Sequence, residues 1–266
     1  MEKTEEINLF SKETRRIILK TALNAGAKSA HIGGALSMVE IISTIFLNKI
    51  KKKIENHFIL SKGHACLAYY AVLNQLKFIN DEILLTFEND GSDLLGHPVK
   101  NDKIPIHFST GSLGMGLSIG IGLAIASKKK RNNKNVYIVM GDGECNEGSV
   151  WEAAMAAYHL KLDNIFLIID NNGFQQTGSN KDILDTFNLV EKWKSFGWNV
   201  KEGNGHNPEV LLEFLKNNNK IVNKPNVLIA KTIKGKGFKF SENNNNWHHN
   251  ILTKSVYEEA LKELEL

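Results

Sequence analysis

Cysteine is nearly absent from this chain. Cys66 and Cys145 are the only two among 266 residues, too few for a disulfide framework or a four-ligand zinc site. A reducing compartment, the cytoplasm, is the expected location. Long apolar runs are missing as well: the most apolar stretch, Leu117 to Ala126, is too short to span a bilayer. The opening residues Met1-Glu2-Lys3-Thr4-Glu5-Glu6 are acidic where an export signal is basic and then apolar, so no membrane association is expected. Charge of one sign is also scarce. Lys and Arg number 33 against 29 Asp and Glu, and the small excess sits in short runs, Lys51-Lys52-Lys53 and Lys128-Lys129-Lys130-Arg131. Runs of this kind read as solvated faces. There is no basic stripe interleaved with aromatics and no nucleic-acid reading motif, which excludes a nucleic-acid partner. The glycine-rich stretch from Gly111 to Gly122 lacks the Gly-x-Gly-x-x-Gly order directly after a strand, and no phosphate-loop Lys-Ser/Thr signature occurs. Those two absences argue against a nicotinamide-binding dehydrogenase and a P-loop enzyme.

What is present is an ordinary globular balance, 42% hydrophobic and 23% charged, able to bury a substantial core. Asn8 to Ala27 has the apolar spacing of a helix, and Leu36 to Leu47 reads as a second, buried one. Phe58-Ile59-Leu60 is a short strand that runs into Ser61-Lys62-Gly63-His64, with a helix over Ala65 to Leu76. Small residues from Leu117 to Ser127 predict a helix able to lie close against a sheet. Val136 to Met140 and Ile165 to Ile169 are continuous apolar strands, joined by an alanine-rich helix from Ser149 to Leu160, which is the signature of a parallel crossover unit. A helix over Asp185 to Phe196, a short extended segment at Trp198-Asn199-Val200, a helix opened by Pro208, a strand over Val227 to Ala230 and a final helix from about Leu252 complete the pattern. Ser241 to Asn246 reads as a polar loop. The alternation predicts an α/β fold, a doubly wound, mostly parallel sheet flanked by helices, with residues 1–266 as a single domain.

Two of these strands end in chemistry. Gly141-Asp142-Gly143 follows one and Asn171-Asn172 the next, so both fall at carboxyl ends of neighbouring parallel strands, where open α/β sheets bind ligands. Asn172 lies 30 residues after Asp142, about the length of one crossover unit. A carboxylate and an amide oxygen brought together there suit a hard cation such as magnesium or calcium. The flanking glycines let a diphosphate approach backbone N–H groups that a side chain would obstruct.

The run from Gly141 through Glu144-Cys145-Asn146-Glu147-Gly148-Ser149-Val150-Trp151-Glu152-Ala153-Ala154, ending at Asp170-Asn171-Asn172, resembles the thiamine-diphosphate motif of transketolases. Ala30-His31-Ile32-Gly33-Gly34, Leu60-Ser61-Lys62-Gly63-His64, Gly96-His97-Pro98, Ser109-Thr110-Gly111-Ser112-Leu113-Gly114 and Lys231-Thr232-Ile233-Lys234-Gly235-Lys236-Gly237 resemble the family's other blocks, in order and over nearly the full chain. The resemblance implies a thiamine-diphosphate-binding (PP-type) domain. It also implies that Asp142, Asn172 and the Phe174 carbonyl hold a divalent metal, magnesium with calcium or manganese as substitutes. Gly111, Ser112, Leu113 and Gly143 would contact the cofactor, and Glu147 would help couple the two active sites of a dimer. His31 and His97 would bind the ketose near its reacting end, His64 the diphosphate, and His248 both cofactor and substrate, with His249 a competing choice for that last role. Ile32 replaces a usual proline and Met115 a common glutamine; neither change removes a reactive group.

Transketolases also carry a pyrimidine-binding domain and a C-terminal domain, for which this chain has no room. The resemblance is therefore to the N-terminal subunit of a split transketolase. It implies transfer of a two-carbon ketol unit between sugar phosphates of the pentose phosphate pathway. It further implies a separate C-terminal subunit, with two copies of each chain in the assembly. The alternatives are another thiamine-diphosphate ketol transferase of a specialised pathway and a non-catalytic, regulatory thiamine-diphosphate-binding subunit.

Overall fold

The computed structural model describes residues 2–50, 56–132, 134–216 and 221–265; the basic run Lys51-Lys52-Lys53 lies outside them. In chain order the elements are α1 (Lys3–Ala25), α2 (Ile32–Leu36), α3 (Val39–Ile45), β1 (His57–Leu60), α4 (Cys66–Gln75), α5 (Asp81–Leu84), α6 (Met115–Lys129), β2 (Val136–Gly141), α7 (Gly148–His159), β3 (Ile165–Asn171), α8 (Asn180–Ile183), α9 (Leu189–Ser195), β4 (Asn199–Asn204), α10 (Pro208–Phe214), β5 (Asn226–Lys231) and α11 (Lys254–Glu265). They gather into two compact units. One comprises Thr44–Lys62 and Ser112–Thr232, the other Met1–Ser43, Gly63–Gly111 and Ile233–Leu266.

The first unit contains all five strands of the described residues, every neighbouring pair parallel, in the order β1-β2-β3-β5-β4. This is the expected doubly wound α/β sheet with flanking helices. Residues of β2, β3 and β5 are buried almost throughout, because strands covered on both faces carry continuous rather than alternating apolar sequence. β4 differs. It is one of the two edge strands, its residues are at most half-buried, and its Lys201 and Glu202 break the apolar run. Charged side chains of this kind also protect an open edge from pairing with another chain. The helix expected from Asp185 starts instead at Leu189, where the Asn188 side chain accepts from the Glu191 N–H at 3.2 Å. The short α8 before it is capped by Ser179 in the same way. α6 packs against β1, β2 and β3 through its glycines: a Cβ at Gly120 would collide with Ile138 Cδ1, and one at Gly116 with Ser61 Oγ.

The second unit is helical, with α1 packed on α4 and α11. α1 begins at Lys3, earlier than the apolar spacing suggests, since Glu5 and Glu6 suit the positive end of a helix. It stops at Gly26, whose φ of 55° a side chain would disfavour. Arg15 on its buried face pairs with Glu40 at 2.6 Å and donates from Nε to the Lys236 carbonyl at 3.0 Å. That tie holds the Lys234–Gly237 segment to the helix. The helix expected over Leu36 to Leu47 is divided into α2, α3 and a wider π turn at Phe46–Ile50. Both cysteines are free and buried. Among the described residues no helix is long and apolar enough to cross a membrane.

Candidate functional site

In the sheet-bearing unit, the paired register sets Gly141 of β2 opposite Asp170 of β3, and Asn171 of β3 opposite Lys231 of β5. Asp142, Asn172 and Thr232 therefore emerge from three adjacent strand ends. Asp142 is only 2% exposed. Its Oδ1 accepts from Gly143 N at 2.8 Å, and its Oδ2 from Gly173 N at 2.6 Å and Asn180 Nδ2 at 2.9 Å. Burial pushes its carboxyl up to about 6, against the pull of those N–H donors, with the neighbouring Asp170 charge adding to the rise.

Asp170 is wholly buried and accepts from Lys62 Nζ, Thr232 Oγ1 and, at 3.3 Å, Asn172 Nδ2. The charge pair with Lys62 offsets the cost of burying either ion. Its effect on Asn172 is directional: with Nδ2 held by a carboxylate, the amide presents Oδ1 on the other side, where it accepts from Phe174 N at 3.0 Å. A third buried carboxylate, Glu144, accepts from Ser61 Oγ at 2.5 Å, Gly114 N at 2.8 Å and Gly141 N at 3.2 Å. Glu144 thus ties the turn after Ser112 and Leu113 to the ends of β1 and β2. Gly114, at φ 84°, leaves no space for a side chain, since a Cβ would meet Ser149 Oγ at 2.5 Å. Ser112, Leu113 and Glu147 are exposed.

This donor set fits a hard divalent cation. Among the described residues no cluster of three or more His, Cys, Asp or Glu is placed to hold a metal, whereas one buried carboxylate beside amide and backbone oxygens is the chemistry that magnesium and calcium prefer. Gly143 has no room for a side chain: the Cβ it lacks would stand 2.7 Å from Gln175 Cγ.

In the helical unit, His31 stands at the start of α2 and is the hub of a histidine group. Its ring centroid lies 5.7 Å from that of His64, 5.5 Å from His97, 5.4 Å from His248 and 4.3 Å from His249. His64 and His248 stack at 5.3 Å. Burial is the main cause that lowers His31 to about 4, and the nearby His249, His97 and Lys234 lower it further, so His31 is a neutral hydrogen-bonding group near pH 7. His97 is lowered too, chiefly by burial, with Glu88 acting in the opposite direction. Its ring lies against Gly111, whose missing Cβ would meet His97 Cδ2 at 3.0 Å.

His248 is oriented by Lys234. This lysine is 1% exposed, and its Nζ lies 2.5 Å from Asn245 Oδ1 and 2.9 Å from His248 Nδ1. An ammonium only donates, so Nδ1 accepts and the ring proton sits on Nε2. His249 is exposed and meets the Ser29 hydroxyl. The two neighbours that the sequence left as alternatives thus have different surroundings.

The profile described as "Transketolase, thiamine diphosphate binding domain" matches residues 11–264. The chain belongs to this transketolase family. It is 36% identical over 268 residues to an apulose-4-phosphate transketolase subunit of Phocaeicola vulgatus, covering 98% of this chain and 94% of the relative. It is 34% identical over 242 residues to the 6-deoxy-6-sulfo-D-fructose transketolase subunit SqwG of a Clostridium species, covering 88% of this chain and 88% of the relative. The transketolase structure of Campylobacter jejuni superposes with a TM-score of 0.86 at 27% identity over 98% of this chain; the match spans 43% of that longer chain.

The transketolase resemblance pointed to Asp142, Asn172 and Phe174, and the fold gathers these around one loop of the sheet-bearing unit. It pointed to His31, His64, His97 and His248, and the fold gathers these in the helical unit. Sequence reading passed over Lys62, Asp170, Glu144, Asn180 and Lys234. The one signal for Lys62, Glu144, Asp170 and Lys234 was their place inside the family-like blocks, and nothing in the sequence links Lys62 to Asp170, 108 residues away.

Proposed function

We propose that the chain is the N-terminal subunit of a two-chain transketolase. It moves a two-carbon ketol unit from a ketose phosphate to an aldose phosphate in the cytoplasm. It works with a second subunit that carries the pyrimidine-binding domain, two copies of each chain forming the assembly. Residues 1–266 serve as one thiamine-diphosphate-binding module. The observation that carries this reading is the histidine group around His31 in a chain that also holds Asp142 and Asn172 at neighbouring strand ends. A module that only stored the cofactor would have no use for a set of imidazoles gathered around His31 and suited to sugar hydroxyls and proton movement. The split into subunits rests on relatives named as single subunits that match this chain over most of both lengths.

In this reading Asp142, Asn172 and the Phe174 carbonyl hold a divalent cation, magnesium in the first instance, and Gly143 and Gly111 through Leu113 receive the cofactor. Bound thiamine diphosphate supplies the nucleophilic carbon for ketol transfer. His64 donates to the diphosphate. His31 and His97 hold hydroxyl groups at the reacting end of the ketose, and His248 donates from Nε2 because Lys234 occupies its Nδ1. Glu147, exposed beside Gly114, is assigned to communication between the two copies.

The donor and acceptor of the pentose phosphate pathway are the first pair to try. A second reading, a specialised sugar, is favoured by the sugars for which the two relatives are named, apulose 4-phosphate and 6-deoxy-6-sulfofructose. The test is ketol transfer from xylulose 5-phosphate to ribose 5-phosphate, with thiamine diphosphate and magnesium, for this chain alone and mixed with its C-terminal partner. Turnover in the mixture and none alone is expected. Turnover by the chain alone removes the need for a partner. A mixture that is silent with pentose phosphates but turns over branched or sulfonated ketoses moves the function to the second reading.

A further inference from the structure

His249 stands nearer to His31 than any other imidazole of the group, 4.3 Å between ring centroids against 5.4 Å for His248. It is exposed, and its charge acts on both His31 and His97, the two groups assigned to the ketose. Two backbone hydrogen bonds fix it there. Ala30 N donates to the Asn250 carbonyl and Asn250 N to the Ala30 carbonyl, each at 3.1 Å, so the residue before His31 is locked to the residue after His249. Beside this bridge Ser29 has φ 58° and ψ 179°, a backbone conformation open to glycine and costly for a residue with a side chain. A serine kept where glycine would be relaxed needs a reason, and its hydroxyl supplies one. Oγ gives its single proton to the Lys28 carbonyl at 2.6 Å, so towards His249 it can only accept. It lies 3.0 Å from Nε2 and 3.3 Å from Nδ1. The nearer nitrogen, Nε2, therefore carries the ring proton, and the Nδ1 lone pair is left for a ligand. His248 offers the reverse, since Lys234 occupies its Nδ1 and its Nε2 donates.

We propose that His249 is a specificity-determining residue for the donor ketose: its Nδ1 accepts a hydrogen bond from a hydroxyl group beside the ketone, and Ser29 is the positioning residue that fixes the ring and its tautomer. The proposal rests on the reading of the chain as a ketol-transfer subunit. A sugar hydroxyl both donates and accepts, so a site that reads hydroxyl groups wants an acceptor beside its donors. His248 supplies a donor and His249 the acceptor. The same lone pair has nothing to offer a phosphate or sulfonate, which only accept, so the group it reads is a hydroxyl and not the charged end of the sugar.

The test is steady-state ketol transfer by the chain mixed with its C-terminal partner. Xylulose 5-phosphate is the donor, replaced by apulose 4-phosphate or 6-deoxy-6-sulfofructose if it is silent. KM for the ketose, kcat and the half-saturating concentration of thiamine diphosphate are read for the unaltered chain and three variants. His249→Phe keeps a ring and removes both nitrogens; it is expected to raise the ketose KM about tenfold, the effect of one lost hydrogen bond, with kcat changed by no more than about twofold and thiamine diphosphate saturation unchanged. His249→Asn carries a donor for Ser29 and an acceptor for the sugar on one amide, and is expected to recover most of the loss. Ser29→Gly relieves the backbone and frees the ring, so the ketose KM should rise severalfold while Tm does not fall. An unchanged ketose KM in His249→Phe overturns the proposal, as does a thiamine diphosphate requirement that rises by the same factor, which would place His249 on the cofactor. A Ser29→Gly variant with lower Tm and unchanged KM overturns the positioning role of Ser29. No turnover by the unaltered mixture with any of the three donors overturns the ketol-transfer reading and this proposal with it.

Discussion

Four other imidazoles surround His31, with a buried lysine nearby, and its acid–base behaviour follows from that crowding. A proton on His31 would be a poorly hydrated charge facing Lys234, so the folded chain holds its pKa down to about 4 while the unfolded chain returns it to its ordinary 6.5. Above pH 6.5 the group is neutral in both states and leaves stability unchanged. As the pH falls from 6.5 towards 4, the unfolded chain takes up a proton that the folded chain refuses, so stability is lost through that window. His31→Asn removes the titration, and urea unfolding should show the variant losing less stability than the unaltered chain between pH 6.5 and 4. Equal losses would mean that His31 is not the buried neutral base described here. His31, His64 and His97 were legible because each falls in a recognisable block, whereas the resemblance left His248 and His249 as alternatives. What orients them was not: Lys234 reaches His248 across 14 residues, and Lys62 reaches Asp170 across 108, and such pairings exist only once the chain has folded.

At the scale of elements, legibility followed burial. β2, β3 and β5 are covered on both faces, so their sequences are apolar without interruption and announce themselves. β4 is an edge strand with Lys201 and Glu202 in it and was visible only as a short extended segment. α8 is a single turn held by Ser179, too short for any periodicity to show. The glycines of α6 permit a sharper statement, because one helix contains both crowded and open positions. A Cβ at Gly116 would stand 2.5 Å from Ser61 Cβ and 2.9 Å from Ser61 Cα, backbone that cannot turn aside, and Ser61 is also bonded to Glu144. At Gly122 a Cβ would meet nothing within 4 Å. Gly116→Ala should therefore destabilise the chain by about 1–3 kcal/mol, the usual cost of overpacking. Gly122→Ala should stabilise it by about 0.5–1 kcal/mol, through the helix preference of alanine. Denaturant midpoints for the two variants would decide between these outcomes, and shifts of the same sign would contradict the packing of α6 against β1.

For the molecule as a whole, the cation reading predicts a stability linked to ligand. Whatever binds the folded chain and not the unfolded one raises stability with concentration, by about 2.7 kcal/mol at a hundredfold excess over the dissociation constant. In a chain of this size that corresponds to a rise in Tm of roughly 5–10 °C. Asp142 is the residue through which this gain should pass. Its carboxyl is pushed up to about 6 by burial, so at neutral pH the ligand-free fold carries a charge that its surroundings disfavour. Removing it discards three hydrogen bonds and relieves that charge, two effects of opposite sign. Asp142→Ala should consequently melt close to the unaltered chain when both are free of ligand. The difference should open when thiamine diphosphate and magnesium are added together: a rise in Tm for the unaltered chain that grows with ligand concentration and disappears with a chelator, and none for the variant. A variant that gains as much as the unaltered chain would place the cation elsewhere, and a variant that fails to fold without ligand would make Asp142 a structural residue of the Gly-Asp-Gly turn.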